Sequence, residues 1–265
     1  MPTLADLAVG VLTTADAAAK AAASRAAAAA WRSDAVSGIG DRQPPDRPAR
    51  PPRPELRRPA EMPKRSTGAL AGRIALLHAV AHIELNAIDL AWDLLARFAD
   101  DDMPRAFIDD WVAVGDDEAR HFRLLAGRLS ELGAAYGDLP AHDGLWRSAA
   151  ATAGDLAARL AVVPMVLEAR GLDVTPAMIE RLTNAGDRQS ADILKIIYRE
   201  EVSHVAAGRR WFEWICARRN LEPKATWKGL VNQYFANSLK PPFNHAARGE
   251  AGMSRNYYEN FGQIE

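Results

Sequence analysis

Four stretches of the chain place apolar residues at alternating spacings of three and four, the pattern of helices that bury one face. In the first, Ile74, Leu77, Ala81, Glu84, Ile88, Ala91, Leu95 and Phe98 form one stripe, on a helix predicted to run from a cap at Ser66 or Thr67 to about Phe98. The second stripe, Phe107, Trp111, Val114, Glu118, His121, Leu125 and Leu132, lies on a helix from about Pro104 to Leu132. Proline suits its first turn. A third helix is expected from about Ser148 to Arg170, with Gly171 as its stop and Leu156, Leu160, Val163 and Leu167 as its apolar edge. Thr175 and Pro176 then read as the start of a short helix to about Ala185. The last stripe, Leu194, Ile197, Glu201, His204, Gly208, Trp211 and Ile215, belongs to a helix from about Ser190 to Arg218.

The flanks differ in pattern. Residues 3–32 read as a helix that opens on a capping box of Thr3 and Asp6 and is nearly all alanine over Ala17–Ala30. From Asp41 to Lys64 prolines recur between Arg42, Arg47, Arg50, Arg53, Arg57 and Arg58, which forbids helix and favours an extended arm. Such an arm is a surface strap or, through its arginines, a contact for an anionic partner. Beyond Asn220 the chain reads as an irregular tail, including Pro242-Phe243-Asn244, that packs on the helices. Three regions follow: an N-terminal helix with its arm (1–65), an antiparallel four-helix bundle (66–219) and a C-terminal tail (220–265). The fold class expected is all-α.

Polar residues interrupt the apolar stripes at matched places. Glu118 and His121, and again Glu201 and His204, form Glu-x-x-His, a spacing that puts carboxylate and imidazole on one helix face about one turn apart. Glu84 precedes Glu118 by 34 residues, and Glu168 precedes Glu201 by 33. A glutamate on one helix and Glu-x-x-His on the next, twice over, is the ligand set of a di-metal carboxylate site in a four-helix bundle. An unpaired buried carboxylate is costly, so Glu84 in mid-stripe needs a metal, a cation or a proton. Four carboxylates and two imidazoles suit two iron or manganese ions better than zinc. His78 and His82 point away from Glu84, by about 120° and 200° around the helix, and read as packing residues. Pro164, one turn before Glu168, predicts a kink; with Ala157 and Ala161 it either opens a cavity or permits close helix packing.

Composition narrows the setting. The 265 residues carry a net charge of -1, which selects no partner class. Cys216 is the only cysteine, so there is no internal disulfide and no thiolate metal site. No uninterrupted apolar run reaches membrane-spanning length, and the N-terminus lacks a signal-peptide pattern, so a cytoplasmic protein is expected.

Asp117-Glu118-Ala119-Arg120-His121 resembles the D-E-x-R-H motif of the ferritin-like di-iron carboxylate superfamily. His82-Ile83-Glu84-Leu85, Glu168-Ala169-Arg170-Gly171-Leu172-Asp173 and the Pro242-Phe243-Asn244 tail extend the likeness to its broad branch described as a ferritin-like domain of unknown function. The resemblance implies a ferritin-like bundle with Glu84 and Glu168 as outer ligands and Glu118 and Glu201 as bridges. His121 and His204 would then give one nitrogen to each of two iron ions, with manganese or a mixed pair as variants. It also implies that Asp117 and Glu200 orient the histidines and that Arg120 balances their charge. At the second copy Glu200 and Ser203 depart from the motif. The activity implied is oxygen activation to oxidise or hydroxylate an organic substrate, with an electron donor. The alternative is iron oxidation and storage, or peroxide detoxification, without an organic substrate. A minor alternative, favoured by the arginine arm, is hydroxylation of modified transfer RNA. Tyr198, one turn before Glu201, is either an electron or hydrogen donor or a buried hydrogen-bonding tyrosine.

Overall fold

The computed structural model describes residues 1–235 and 239–259. Among them every regular element is helical, apart from an isolated one-residue bridge between Leu56 and Ala141. The chain is therefore all-α. It divides into two compact units, Met1–Gly144 with Leu182–Ile193, and Leu145–Arg181 with Leu194–Glu265.

In the first unit α1 (Leu4–Thr13) and α2 (Ala17–Arg32) stand where one helix was expected. The Thr3–Asp6 capping box is formed. The break follows from competing side chains: the Thr13 and Thr14 hydroxyls donate to the Val9 and Gly10 carbonyls, and Asp16 caps the second helix by accepting from Ala19 N–H at 2.8 Å. α3 (Leu70–Phe98) and α4 (Arg105–Glu131) make the largest contact of the unit, and α1 and α2 pack on them. Ser24 joins three of these helices, donating to the Gly115 carbonyl at 2.6 Å and accepting from the Trp92 indole at 2.7 Å. A Cβ at Gly115 would stand 2.8 Å from Trp92 Nε1, so the crossing requires glycine. The buried Lys20 ammonium pairs with Asp89 on α3 and donates to the Ala49 carbonyl at 2.8 Å.

The proline-rich arm lies along this unit, with one 3-10 turn at Pro59–Glu61. Its arginines face the chain's own acids: Arg42 with Asp6, Arg47 with Asp143, Arg57 with Glu55, and Arg58 with Glu61. Backbone bonds from Arg57 N–H to the Ala141 carbonyl (2.8 Å) and from Ala141 N–H to the Glu55 carbonyl (3.0 Å) pin it to the loop after α4. α3 has the length and hydropathy of a membrane span, which the broken apolar runs of the sequence did not suggest, but 72% of that stretch is buried inside the fold. That is the pattern of a core helix.

The second unit departs further from expectation. α5 (Gly144–Ala151) ends before Asp155, which caps α6 (Leu156–Val162). The path then continues without a stop through a π-helical turn, Val163–Glu168, into α7 (Ala169–Asn184). Gly171 does not end the helix, and Pro176 sits inside it rather than at a new start. α8 (Arg188–Arg218) follows. The expected irregular tail instead contains α9 (Pro223–Tyr234), α10 (His245–Glu250) and α11 (Arg255–Tyr258). Glu222 caps α9 at 2.6 Å and Pro223 takes its first position, a start signal present in the sequence. The parts of the expected tail at 236–238 and 260–265 lie outside the described residues.

Candidate metal centre

In the first unit the periodicity of α3 and α4 turns Glu84, Glu118 and His121 inward, and all three are at most 3% exposed. Their ligand atoms lie within 4.8 Å of one another. His121 Nδ1 is 3.0 Å from Glu84 Oε2 and 3.4 Å from Glu118 Oε2. Burial, and next the neighbouring Glu118 charge, push the Glu84 carboxyl well above the usual carboxylate range, against the opposing pull of His121. Two adjacent buried carboxylates are costly to ionise without a compensating cation. Hard oxygen donors with one imidazole match a divalent metal's requirements. This buried group could hold a metal ion.

The second unit repeats part of the arrangement. Glu201 and His204 sit one turn apart on α8, with His204 Nδ1 3.7 Å from Glu201 Oε2, the same atom pair as in Glu118 and His121. His204 is buried and Glu201 nearly so. Glu168 is the last residue of the π-helical turn. The kink expected from Pro164 is thus a widened turn, a form that often marks functional positions in helices. A Cβ at Gly208 on α8 would come within 2.3 Å of Pro164 Cβ, so Gly208 admits the proline ring. The Trp227 indole of α9 donates to the Ala161 carbonyl just before the turn, at 3.1 Å.

The residues expected to support the ligands lie farther out. Asp117 and Arg120 pair at 3.2 Å on a flank of α4 where each side chain is about one-third exposed. Glu200 is half-buried, and its carbonyl accepts from the Ser203 hydroxyl at 2.8 Å. The Tyr198 hydroxyl accepts from the Asn244 side-chain amide at 2.8 Å. His78 and His82 take packing and hydrogen-bonding places away from Glu84. Both stack on Tyr136; His78 Nε2 accepts from Gly137 N–H at 2.9 Å, and His82 Nδ1 lies 2.9 Å from the Tyr136 hydroxyl. Desolvation lowers the His82 imidazole to about 4.

Sequence reasoning placed Asn244 in the tail motif but gave it no role. Its amide also donates to the Leu172 carbonyl at 3.1 Å, four residues before Pro176, while its backbone N–H donates to Asp173 Oδ1 at 2.9 Å. Asp173 in turn receives both arms of the buried Arg248 guanidinium at 2.8 and 2.7 Å. The available signal was the in-helix proline, whose missing N–H demands a donor from elsewhere.

Residues 13–259 match the model of a family described as "Protein of unknown function (DUF455)". The chain belongs to this family. It is also similar to an uncharacterized protein of Haemophilus influenzae, with 40% identity over 220 residues, covering 81% of this chain and 76% of the relative. No solved structure matches it.

Proposed function

We propose that this member of the family is a ferritin-like di-metal carboxylate oxidoreductase, which uses oxygen to oxidise or hydroxylate an organic substrate. The observation that carries the reading is the buried meeting of Glu84, Glu118 and His121. Two carboxylates and an imidazole in a buried site form a costly polar group for a purely structural core, and a suitable donor set for iron or manganese. The matched Glu201–His204 geometry and the placement of Glu168 support a second set of donors of the same kind within the second unit. Bound ferrous iron would supply the electrons with which oxygen is reduced.

The protein's own part is to hold and shield these donors. Burial beside Glu118 makes the Glu84 carboxyl hold a proton more tightly than an ordinary carboxylate, and a bound cation would favour its ionised form. Leu77, Ala81, Ile88 and Leu125, all fully buried on the same stripes, keep bulk water away. Tyr198 is engaged with Asn244, which suits a hydrogen-bonding role and leaves a redox role to experiment. Most of the arm's arginines are engaged with this chain, which favours the strap over a nucleic-acid contact.

Metal analysis after anaerobic loading tests the reading, and about two iron or manganese ions per chain are expected. No uptake of either would sink it. Oxygen is then added to the ferrous protein with metabolite extract, and mass spectrometry follows any compound that gains an oxygen atom or loses two hydrogens. Steady ferric mineral growth without such a compound would favour storage.

A further inference from the structure

A second polar site lies at one end of α3 and α4, in the first unit. A cavity of about 300 Å³ is lined by Arg73, Arg128, Ala185, Gly186, Asp187, Arg188 and Gln189. Arg73 precedes Glu84 by 11 residues and Arg128 follows His121 by 7, so both arginines continue the stripes that carry the metal-centre residues. They sit roughly 10–16 Å away along the helix axes, beyond the buried Leu77 and Leu125. The cavity is therefore separate from the carboxylate group.

Its charges are unevenly spent. Arg128 is fully engaged: Nε donates to the Ser190 hydroxyl at 2.9 Å, Nη1 to Glu131 and Gln189 at 2.8 Å each, and Nη2 to Asp187 at 2.9 Å. Arg73 turns Nε toward Asp187 Oδ2 at 3.3 Å and donates Nη1 to the Thr67 carbonyl at 3.3 Å, leaving Nη2 over. Arg188 is exposed and makes no ion pair among the described residues. Two guanidinium groups, Arg73 and Arg128, thus share the Asp187 carboxylate, Arg128 also holds Glu131, and Arg188 lines the same cavity without such a partner among the described residues. Asp187 caps the 31-residue α8 by accepting from Ser190 N–H at 3.2 Å, which leaves the preceding N–H groups of that positive helix end to other acceptors.

We propose that this cavity binds a phosphate group, either free or carried by a small molecule. Planar guanidinium donors match phosphate oxygens, and the volume exceeds that of a bare phosphate, leaving room for a small organic substituent. Arg188 makes the main contact, Arg73 adds a second donor, and Arg128 with Asp187 holds the frame.

Titration calorimetry of the full-length chain tests this with three probes in low-salt buffer: inorganic phosphate, glycerol phosphate and adenosine monophosphate. Saturable binding is expected, weakened at least ten-fold in Arg188→Glu, whose unfolding midpoint should stay at the wild-type value. Tighter binding of an ester than of inorganic phosphate assigns the ligand to a phosphorylated small molecule; the reverse order assigns it to the free ion. Arg105→Glu, on the same helix about 35 Å from Arg128, controls for bulk charge and should leave affinity within about two-fold. Absence of saturable binding overturns the proposal. So does phosphate binding that survives Arg188→Glu, which would belong to the metal centre, or an equal loss in Arg105→Glu.

Discussion

The Asn244 side-chain amide donates to the Leu172 carbonyl at 3.1 Å, supplying the hydrogen bond that Pro176 cannot make. A residue from the tail thereby keeps α7 continuous across a proline that would otherwise break it. The same amide reaches the Tyr198 hydroxyl on α8, one turn before Glu201, so one side chain braces two helices of the second unit.

Asn244→Ala should cost about 1–3 kcal/mol of stability, since it strands the Leu172 carbonyl. Pro176→Ala restores a backbone donor to that carbonyl. In the Pro176→Ala background the Asn244→Ala penalty should therefore shrink, and denaturant unfolding of all four proteins measures the coupling. Equal penalties in both backgrounds would show that the Leu172 bond is not what Asn244 provides.

Alanine in place of a mid-helix glycine normally stabilises a helix by about 1 kcal/mol. Gly208→Ala is expected to do the opposite. Its Cβ would meet Pro164 Cβ at 2.3 Å, and an overpacked contact costs about 1–3 kcal/mol. A raised melting temperature would show that the π-helical turn yields freely.

The Lys20–Asp89 pair gives a sign that pH can check. Desolvation pushes the Asp89 carboxyl up to about 7, although the Lys20 charge pulls it down. The folded chain therefore binds more protons than the unfolded chain between about pH 4 and 7. This group's contribution is present in full below the unfolded value and is lost as pH rises through about 7. Asp89→Leu alone should cost about 3–5 kcal/mol at neutral pH by stranding a buried ammonium, and Lys20→Met with Asp89→Leu should recover most of it. Unfolding curves at several pH values follow both effects.

Glu84→Gln separates a metal ligand from a structural acid. Metal content is expected to fall, while the metal-free variant melts at or above the metal-free wild type, because a costly buried carboxyl beside Glu118 has gone. A large loss of metal-free stability would make Glu84 a structural partner of His121 instead.

Much of this protein was legible from periodicity. Glu84, Glu118 and His121 stand on apolar stripes, and the rule that helical residues three, four and seven apart share a face was enough to turn each of them inward; the packing of α3 on α4 brings them together. Local chemistry misled at Gly171 and Pro176, which signal a stop and a start in isolation, and at Thr13 to Asp16, where side chains break what alanine would continue. The Glu222–Pro223 start of α9 was legible but went unread beside the tail's aromatic and polar residues.

What the sequence determined by itself was each helix's buried face, and with it the inward turn of the carboxylates and imidazoles, because those depend on neighbours within one turn. The tertiary structure alone decided where a helix survives its proline, as at Pro176, and which distant residues converge, as Arg73 and Arg128 do at Asp187. The reason is physical. A missing backbone donor or a shared carboxylate can be satisfied by a residue some 60 or 70 positions away, and nothing in the local spacing records that partner.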